Sequence, residues 1–429
     1  MNGDSLPERT GCDCPPVPNR LSRRGFLGGA AGLAALGVVN GFGPLGTTQV
    51  AFGGSNYDGD VLVVVSLRGG FDGLSAVVPS GDPHYATNRP TIGIPNSQLI
   101  ALDSMFGMNK ALSALQPLWN SGDLALVHAV GQVDPTMSHF EAMAEMEVAA
   151  PGTSIRTGWI DRMVGMTGSG PPFAATSVGP AVAPTSMSGA YPVTGMQSLH
   201  SFSLSGSGSS DAAAWHRALN KLQHGATKPV LNAAKTTLSA LNTAQALSQQ
   251  TYTPANGASY PSGDVGPSLS NVAQLIKANV GLRVAAVDCG NWDMHVGLGS
   301  PTSGWLHDNL TELGGALAAF ATDLGSAMSN IVVVTLSEFG RRVEENDSNG
   351  VDHGHGNAVL VLGGGIKGGT VYGKWPGLAD SDLVLGNLAG TTDYRTILAE
   401  ILEARCGIST GSVFPKLGAK RLGLATARS

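Results

Sequence analysis

The sequence predicts an α/β protein with a central, mostly parallel sheet and helices on both faces. Unbroken apolar runs, such as residues 60–67 and 331–336, are typical of strands that are buried on both faces. Segments with helical periodicity alternate with these runs, as in α/β folds. The chain has 429 residues, of which 42% are hydrophobic, so it can bury a sizeable core. These three observations predict the fold class.

The elements follow the chain in a regular order. Strands are predicted at residues 60–67, 124–130, 283–287, 331–336 and 358–362, and helices at 109–116, 138–148, 309–327 and 394–403. The middle third differs, because Ser/Gly-rich and Pro/Gly-rich stretches flank a purely helical pattern at 211–250. We therefore expect a single α/β domain over residues 58–429, with a helical and loop insertion or cap at about 167–272.

The N-terminus predicts export. Arg23 and Arg24 precede an apolar, Gly/Ala-rich run that ends near Val39, a pattern typical of a twin-arginine signal and too short to span a membrane. Residues 1–50 are accordingly interpreted as signal and linker. The expected partner is the twin-arginine export machinery. The expected location is the periplasm, the cell envelope or the extracellular space, and no transmembrane helix is expected in the mature body.

The charge balance argues against nucleic acid as a partner. The chain carries 25 basic and 31 acidic residues, a formal net charge of −6, and no long run of Lys or Arg follows Arg24. A nucleic-acid-binding surface requires a basic patch, which this composition does not provide.

Polar side chains follow the carboxyl ends of several predicted strands. Asp72, Ser138, Asp293 and Glu338 each come within a few residues of a different strand end. In open α/β sheets ligands bind outside these ends, so the four segments are expected to meet at one rim. The loop that contains Asp352 is expected to fold over this rim as a fifth segment.

Two local clusters predict a metal site. Asp352-His353-Gly354-His355 places two imidazoles at i and i+2, which share a side in extended chain, and Asp293 with His295 has the same spacing. Such mixed ligands suit zinc, manganese or iron, with the number of ions left open. For Asp293 and His295, the alternative is a hydrogen-bonded pair beneath a loop.

Other candidates also have structural alternatives. Asp72 lies in a Gly-rich turn, where aspartate often bonds its own backbone. Glu338 is a metal ligand or the partner of Arg341 or Arg342 in an ion pair, and the two roles are compatible. Ser138 begins Ser138-His139-Phe140-Glu141, a capping-box pattern, although a hydroxyl at a helix start after a strand also suits a nucleophile. His139 is either a ligand or a surface residue.

Several motifs together resemble a known family. They are the twin-arginine signal and the stretches at residues 67–74, 138–141, 157–162, 292–295, 337–341 and 352–356. Their order resembles that in the exported bacterial proteins defined by domain of unknown function (DUF) 1501. That family is similar to the alkaline phosphatase and sulfatase superfamily of metal-dependent hydrolases, so the resemblance implies an alkaline-phosphatase-like sheet.

The resemblance also implies roles for individual residues. Asp72 would be the metal ligand after the first strand, Ser138 the nucleophile, and Asp293 with His295 a ligand pair. Glu338 stands where the superfamily has an Asp-His dipeptide. The remaining expected metal ligands are Asp352, His353 and His355, and the residues expected beside the metal or on the substrate are Arg68, His139 and Arg341.

These observations lead to one main functional prediction and two alternatives. The main prediction is an exported metal-dependent hydrolase of phosphate or sulfate esters, either small-molecule or polymeric, with Ser138 or a metal-bound water as nucleophile. The first alternative is a non-catalytic metal-binding envelope or extracellular protein on the same scaffold. The second is an exported oxidoreductase that uses iron.

Overall fold

The structure is a computed structural model, and it describes residues 57–168, 170–179, 183–202, 217, 221 and 228–428. Arg23 and Arg24, with the predicted signal and linker at residues 1–50, lie outside the described residues.

Twelve strands form two sheets within this part of the chain. In chain order the strands are β1 (Val61–Leu67), β2 (Val77–Val78), β3 (Leu99–Ala101), β4 (Gly107–Asn109), β5 (Leu124–Gly131), β6 (Ala175–Val178), β7 (Thr194–Met196), β8 (Val284–Cys289), β9 (Ile331–Leu336), β10 (Asn357–Gly363), β11 (Val371–Tyr372) and β12 (Thr392–Asp393). The main sheet has the order β11-β5-β10-β9-β1-β8-β6-β7, with β12 also paired to β5. The small sheet has the order β2-β4-β3.

The main sheet is mostly parallel, as predicted. β1 lies between β8 and β9 and is parallel to both, with Leu62 opposite Val284 and Val332. β10 is the exception, because it runs antiparallel to β5 and β9. The strand predicted at 358–362 is thus present, but it runs opposite to both of its neighbours. An apolar run reports burial on both faces, and β10 is buried along its whole length whichever way it runs.

Helices cover both faces of the main sheet. In chain order the α-helices in the described residues are α1 (Gly73–Ala76), α2 (Tyr85–Asn88), α3 (Gln116–Ser121), α4 (His139–Val148), α5 (Trp159–Thr167), α6 (Lys228–Ser248), α7 (Val265–Lys277), α8 (Trp305–Leu324) and α9 (Tyr394–Cys406). Val63 and Val65 of β1 share a core with α6, α7 and α8, whereas Leu62 and Val64 share one with α4, α5 and α9. The period-2 alternation of β1 thus divides its side chains between two cores, which confirms the predicted α/β class.

The two cores hold the central strands of the main sheet in place. Fully burying a Val or Leu side chain contributes about 1.5–3 kcal/mol, and all of β9 and most of β1 are buried. The loops that follow β1, β8 and β9 therefore each begin at the end of a rigid, buried strand.

The range 167–272, predicted as an insertion or cap, contributes to the sheet. β6 pairs with β8, and β7 pairs with β6, so residues 175–178 and 194–196 belong to the main sheet. These strands have four and three residues, too short for a clear periodic pattern. α6 lies inside the range, as its helical periodicity predicts. The rest of this range remains a predicted insertion.

None of the helices in the described ranges combines the length and the apolar composition that a membrane crossing requires.

Candidate metal centre

Five chain segments meet at one edge of the main sheet. They follow β1, β5, β8 and β9, and the fifth precedes β10. Because β10 is antiparallel, its amino end lies at the same edge as the carboxyl ends of the other four strands. The segments contact one another directly, since Glu338 Oε1 accepts hydrogen bonds from the Gly69 amide and from His139. The antiparallel direction of β10 therefore brings the histidine-rich loop to the rim.

The loop after β8 presents two side chains on one side. Trp292 and Met294 are buried, whereas Asp293 and His295 face outward, so the loop alternates as an extended chain does. The Trp292 indole N–H donates to the carbonyl of Cys289 at 3.0 Å and anchors the inward face. This alternation places Asp293 Oδ1 3.1 Å from His295 Nε2.

The loop before β10 is held by the loop after β9. Residues 340–342 and 352–355 pair in an antiparallel manner, with backbone hydrogen bonds from Gly354 to Gly340 and from Arg342 to Asp352. A Cβ at Gly354 would lie 2.2 Å from the Arg341 carbonyl carbon, so only glycine fits at this approach. The pairing fixes the position of His353.

Three imidazole nitrogens converge on one carboxylate oxygen. Asp293 Oδ1 lies 3.1 Å from His295 Nε2, 3.3 Å from His353 Nε2 and 3.4 Å from His139 Nε2. The Nε2 atoms of His295 and His353 are 2.9 Å apart. His139, Asp293 and His353 have ligand atoms that all lie within 4.8 Å of one another, and His295 extends this group on the His353 side.

Each of the three imidazoles uses its other nitrogen as a hydrogen-bond donor. His353 Nδ1 lies 2.7 Å from the carbonyl oxygen of Met137, and a carbonyl only accepts, so Nδ1 carries the proton. His295 Nδ1 donates in the same way to Asp352 Oδ1 at 2.7 Å, and His139 Nδ1 to Glu338 Oε1 at 2.8 Å. In the neutral imidazoles the three Nε2 atoms then carry lone pairs that face each other and a carboxylate.

This arrangement fits a bound cation. Facing lone pairs repel unless a positive charge lies between them, and His139 Nε2 is buried without a hydrogen bond to any described residue. First-row metal ions bind His nitrogen and carboxylate oxygen at about 2.0–2.2 Å, which separates tetrahedral ligand atoms by roughly 3.3–3.6 Å. The distances around Asp293 Oδ1 are close to this range. Histidines held through Nδ1 by carboxylates or carbonyls are also the usual supports of metal sites.

The local electrostatics keep the donors in their metal-binding forms. Burial would raise the pKa of Asp293, but the hydrogen bond and charge of Arg341, with His295 and His139, lower it to about 2. Burial lowers the pKa of His353, against the opposing effect of its hydrogen bond to Met137. The hydrogen bond from His295 lowers the pKa of Asp352. The two carboxylates are therefore ionised and His353 is neutral at pH 7.

Arg341 holds the loops of the rim together. Its guanidinium is buried and donates to the carbonyls of Gly69 and Gly70, to that of Val351 at 3.0 Å and to that of Trp292 at 2.9 Å. Nη2 also lies 2.7 Å from Asp293 Oδ1. One side chain thus connects the segments after β1, β8 and β9 and orients the carboxylate of the cluster.

The sequence matches a described family over most of its length. Residues 60–424 match the family described as "Protein of unknown function (DUF1501)". The chain belongs to this family. The resemblance predicted from its motifs is thereby confirmed.

Several solved structures are similar to this DUF1501 protein at low sequence identity. The lipoteichoic acid synthase LtaP from Listeria monocytogenes matches with 9% identity over 80% of this chain and 73% of its own, at a TM-score of 0.35. The sulfatase PsFucS1 from Pseudoalteromonas sp. matches with 11% identity over 73% and 64%, at 0.32. The alkaline phosphatase from the Antarctic bacterium TAB5 matches with 10% identity over 72% and 93%, at 0.27.

The TM-scores of these three structures are all 0.35 or lower, so the relation to the alkaline phosphatase and sulfatase superfamily stays a prediction. At these TM-scores they assign neither an activity nor a residue role to this DUF1501 protein. A search of curated proteins found no match.

Asp72 lies away from the cluster of nitrogen atoms. It is buried, and its two carboxylate oxygens accept hydrogen bonds from Arg89 Nη1 at 2.6 Å and Nη2 at 3.0 Å. Arg89 is itself fully buried and also donates to Ser75 and to the carbonyls of Arg342 and Val343. In this DUF1501 protein the structure thus brings Asp72 to an arginine and not to the imidazoles.

Glu338 and Asp352 are predicted as ligands, but they contact the Nδ1 atoms of two imidazoles, on the side of each ring away from Asp293. Glu338 is buried and bonds His139 Nδ1, whereas Asp352 is half-exposed and bonds His295 Nδ1. Each carboxylate fixes the orientation of its imidazole, so that Nε2 faces the cluster. The structure places them as supports of the cluster.

His353 and His355 have different surroundings although they lie two residues apart. Both face the segment after β5, but His355 is buried between Gly131 and Gly390, and its Nε2 lies 3.0 Å from the Gln132 carbonyl oxygen. Burial lowers the pKa of His355, against the effect of that hydrogen bond. Only His353 reaches the cluster around Asp293.

Ser138 caps α4 and does not line the open cleft that lies beside the cluster. Its Oγ accepts a hydrogen bond from the Glu141 amide at 3.5 Å, while the Glu141 carboxylate bonds Thr136 Oγ1 at 3.0 Å and not the Ser138 amide. The predicted capping box is thus half formed. The residue that follows it, His139, enters the cluster.

The sequence predicts His139 only as a residue beside the metal or on the substrate, whereas the structure places it in the cluster. One sequence signal could have identified His139 as a cluster residue. It lies directly after the N-cap of a helix that follows a strand end, where a side chain points back to the sheet edge. No i, i+2 partner marks it in the sequence.

An open cleft of about 680 Å³ lies beside the cluster. Its polar end includes Arg68, His139, Asp293 and Glu338. Arg68 is partly exposed and is paired with Glu147 at 3.0 Å and Asp288 at 2.7 Å. Of the cluster, His139 and Asp293 line the cleft, so a small molecule in it can contact these two residues.

Proposed function

We propose that this DUF1501 protein is an exported metal-dependent hydrolase that acts on phosphate or sulfate esters. One observation carries the proposal: the Nε2 atoms of His139, His295 and His353 face Asp293 Oδ1 with each Nδ1 engaged elsewhere, beside an open cleft. The two arginines that precede the apolar N-terminal run support export.

The residues divide the work between holding a cation and handling the substrate. His139, Asp293 and His353 would hold one divalent cation, with His295 as a further donor, and a nitrogen-rich site of this kind suits zinc, manganese or iron. Bound there, the cation would supply Lewis acidity for ester cleavage and make water more acidic. Arg68, at the cleft surface, would contact an anionic oxygen of the substrate.

Ser138 is not needed in this scheme. Its hydroxyl caps α4, and the cleft surface is formed by other residues. We therefore assign the attacking oxygen to water.

The proposal is tested by metal content and turnover in protein purified from the periplasm. Wild type is expected to bind a transition metal stoichiometrically and to hydrolyse members of a panel of phosphate and sulfate esters. His353→Ala is expected to lose both, because it removes a donor from the cluster. His307→Ala, a histidine on α8 that pairs with its neighbour Asp308, is the matched control and should keep both.

A second variant separates the two histidines of the motif. His355→Gln can still donate to the Gln132 carbonyl, so it should keep the metal. Retention of the protein in the cytoplasm would contradict export. Full metal occupancy in His353→Ala would contradict the site, and a metal-loaded wild type without turnover would contradict the hydrolase.

One observation favours a second candidate, a metal-binding protein without catalysis. The charge of Arg68 is already matched by Glu147 and Asp288, so the polar end of the cleft offers little net positive charge to an anionic ester before a cation binds. This candidate predicts stoichiometric metal and no turnover on the ester panel.

A further inference from the structure

One face of α4 forms a wall of the cleft. Phe140, Met143, Ala144 and Glu147 all line it, and they follow the i, i+3, i+4, i+7 spacing of a single helix face. The first three are apolar, and Glu147 at the far end pairs with Arg68. The wall is therefore apolar near the start of the helix and charged near its end.

An apolar stripe of this kind ordinarily packs against a core. Here Phe140 is 90% exposed, the largest exposed fraction among the exposed large hydrophobic residues of the described chain. Ala183 and Pro184 line the same cleft. Ala144 is exposed as well, whereas Met143 is partly buried and packs against the core behind the helix. A single exposed apolar residue is unremarkable, but exposed Phe140 beside the partly exposed Met143 and Ala144 gives the cleft a continuous apolar wall.

The apolar wall is continuous with the cation cluster. Phe140 directly follows His139, whose Nε2 lies 3.4 Å from Asp293 Oδ1, and both residues line the cleft. From Phe140 to Ala144 the helix rises about 6 Å, the length of a phenyl ring or a short alkyl chain. A substrate whose charged group lies at the cluster would therefore place its next few carbon atoms beside Phe140 and Met143.

We propose that Phe140 and Met143 form a subsite for an apolar alcohol portion of the substrate, so that the protein prefers phosphate or sulfate esters of aryl or alkyl alcohols. This inference rests on the proposed function for the position of the charged group. Burial of apolar surface against Phe140 would supply the discrimination.

Binding of inert analogues tests the subsite separately from catalysis. Phenylphosphonate, hexylphosphonate and methylphosphonate are titrated into the full exported protein loaded with Zn²⁺ and, separately, with Mn²⁺. Phenyl- or hexylphosphonate is expected to bind about tenfold more tightly than methylphosphonate, the discrimination that a few buried carbon atoms give. Whichever of phenylphosphonate and hexylphosphonate binds more tightly shows whether the subsite prefers aromatic rings or alkyl chains.

Variants assign the preference to the wall. Phe140→Ala should bring the affinity for phenyl- or hexylphosphonate close to that for methylphosphonate, with methylphosphonate unchanged, and Phe140→Leu should restore part of it. Leu385→Ala is the matched control, because Leu385 is 88% exposed and does not line the cleft. Phe140 makes few contacts, so its replacement should leave the fold intact.

The outcomes separate the two proposals. Equal binding of the three phosphonates, or a preference that survives Phe140→Ala together with Met143→Ala, overturns the subsite while the hydrolase proposal stands on its turnover. A preference lost in Phe140→Ala, in a protein that hydrolyses no ester, supports the subsite and overturns the hydrolase.

Discussion

Asp72 and Asp293 follow the carboxyl ends of two adjacent strands, β1 and β8, yet their carboxylates have opposite surroundings. Asp72 is 2% exposed, and both of its oxygens accept from two amino groups of Arg89. Asp293 has a half-exposed side chain, and one amino group of Arg341 contacts one of its oxygens. The same residue type at the same kind of position thus forms a closed ion pair in one case and an available ligand in the other.

The difference lies in how many donors each arginine has left. Most N–H groups of Arg341 donate to the carbonyls of the rim loops, so Arg341 contacts Asp293 at a single oxygen. Arg89 turns two amino groups to Asp72 in a bidentate pair. Asp293 thus keeps Oδ2 out of its ion pair, because Arg341 donates mainly to backbone carbonyls.

The largest expected effect is on folding stability at the β1 end. Asp72→Asn should lower the free energy of unfolding by about 3–5 kcal/mol, because it leaves the buried Arg89 without its counter-charge. Urea denaturation of the metal-free protein measures this. Asp293→Asn is the matched variant and should cost less than about 1 kcal/mol, since its side chain is half-exposed. Equal costs for the two variants would remove the contrast.

The next effect is on cation affinity at the β8 end. Asp352→Asn should weaken binding of Zn²⁺ about 10–100-fold, because the amide supports His295 Nδ1 less well than a carboxylate does. Competition with a chelating dye measures this affinity. Asp308→Asn, which alters a similar carboxylate–histidine pair outside the cluster, should leave it unchanged. An equal loss in both variants would show that the cluster is not the binding site.

The smallest effect is on the pH dependence of stability. The folded pKa of Asp293 is lowered to about 2 from the ordinary 3.8, chiefly by Arg341 against the effect of burial. Its contribution is thus present above about pH 4 and is lost as the pH falls through 2. The stability difference between metal-free wild type and Asp293→Asn should shrink over this window, by less than about 1 kcal/mol because the group is half-exposed. A difference that grows toward pH 2 would contradict the pairing with Arg341.

The sequence predicted those features that depend on periodicity and on strand ends. The long strands and α4, α8 and α9 lie where the hydrophobic patterns place them, and the five-segment rim follows from the strand ends. Asp293 and His295 were expected on one side because extended chain brings i and i+2 together, and their side chains do lie together. The same rule did not distinguish His353, which lies beside Asp293, from His355, which does not. That these residues bind a metal stays a prediction.

The remaining features depend on contacts between distant residues. Nothing near Asp72 indicates that Arg89 will return to it, and nothing in residues 358–362 indicates that β10 is antiparallel. His139 reaches the cluster because Glu338, 199 residues away, holds its Nδ1. Which partner takes a carboxylate or an imidazole is decided by tertiary packing, and hydropathy does not record it.

The donors of the cluster come from three distant parts of the chain, and Asp293 and His353 alone are 60 residues apart. An unfolded chain would therefore have no preformed site, and a cation that binds only the folded form stabilises it by mass action. At a free concentration one hundred times Kd, the gain is about 2.7 kcal/mol. Metal supply would then govern how much of the protein survives in the cell, before any substrate is encountered.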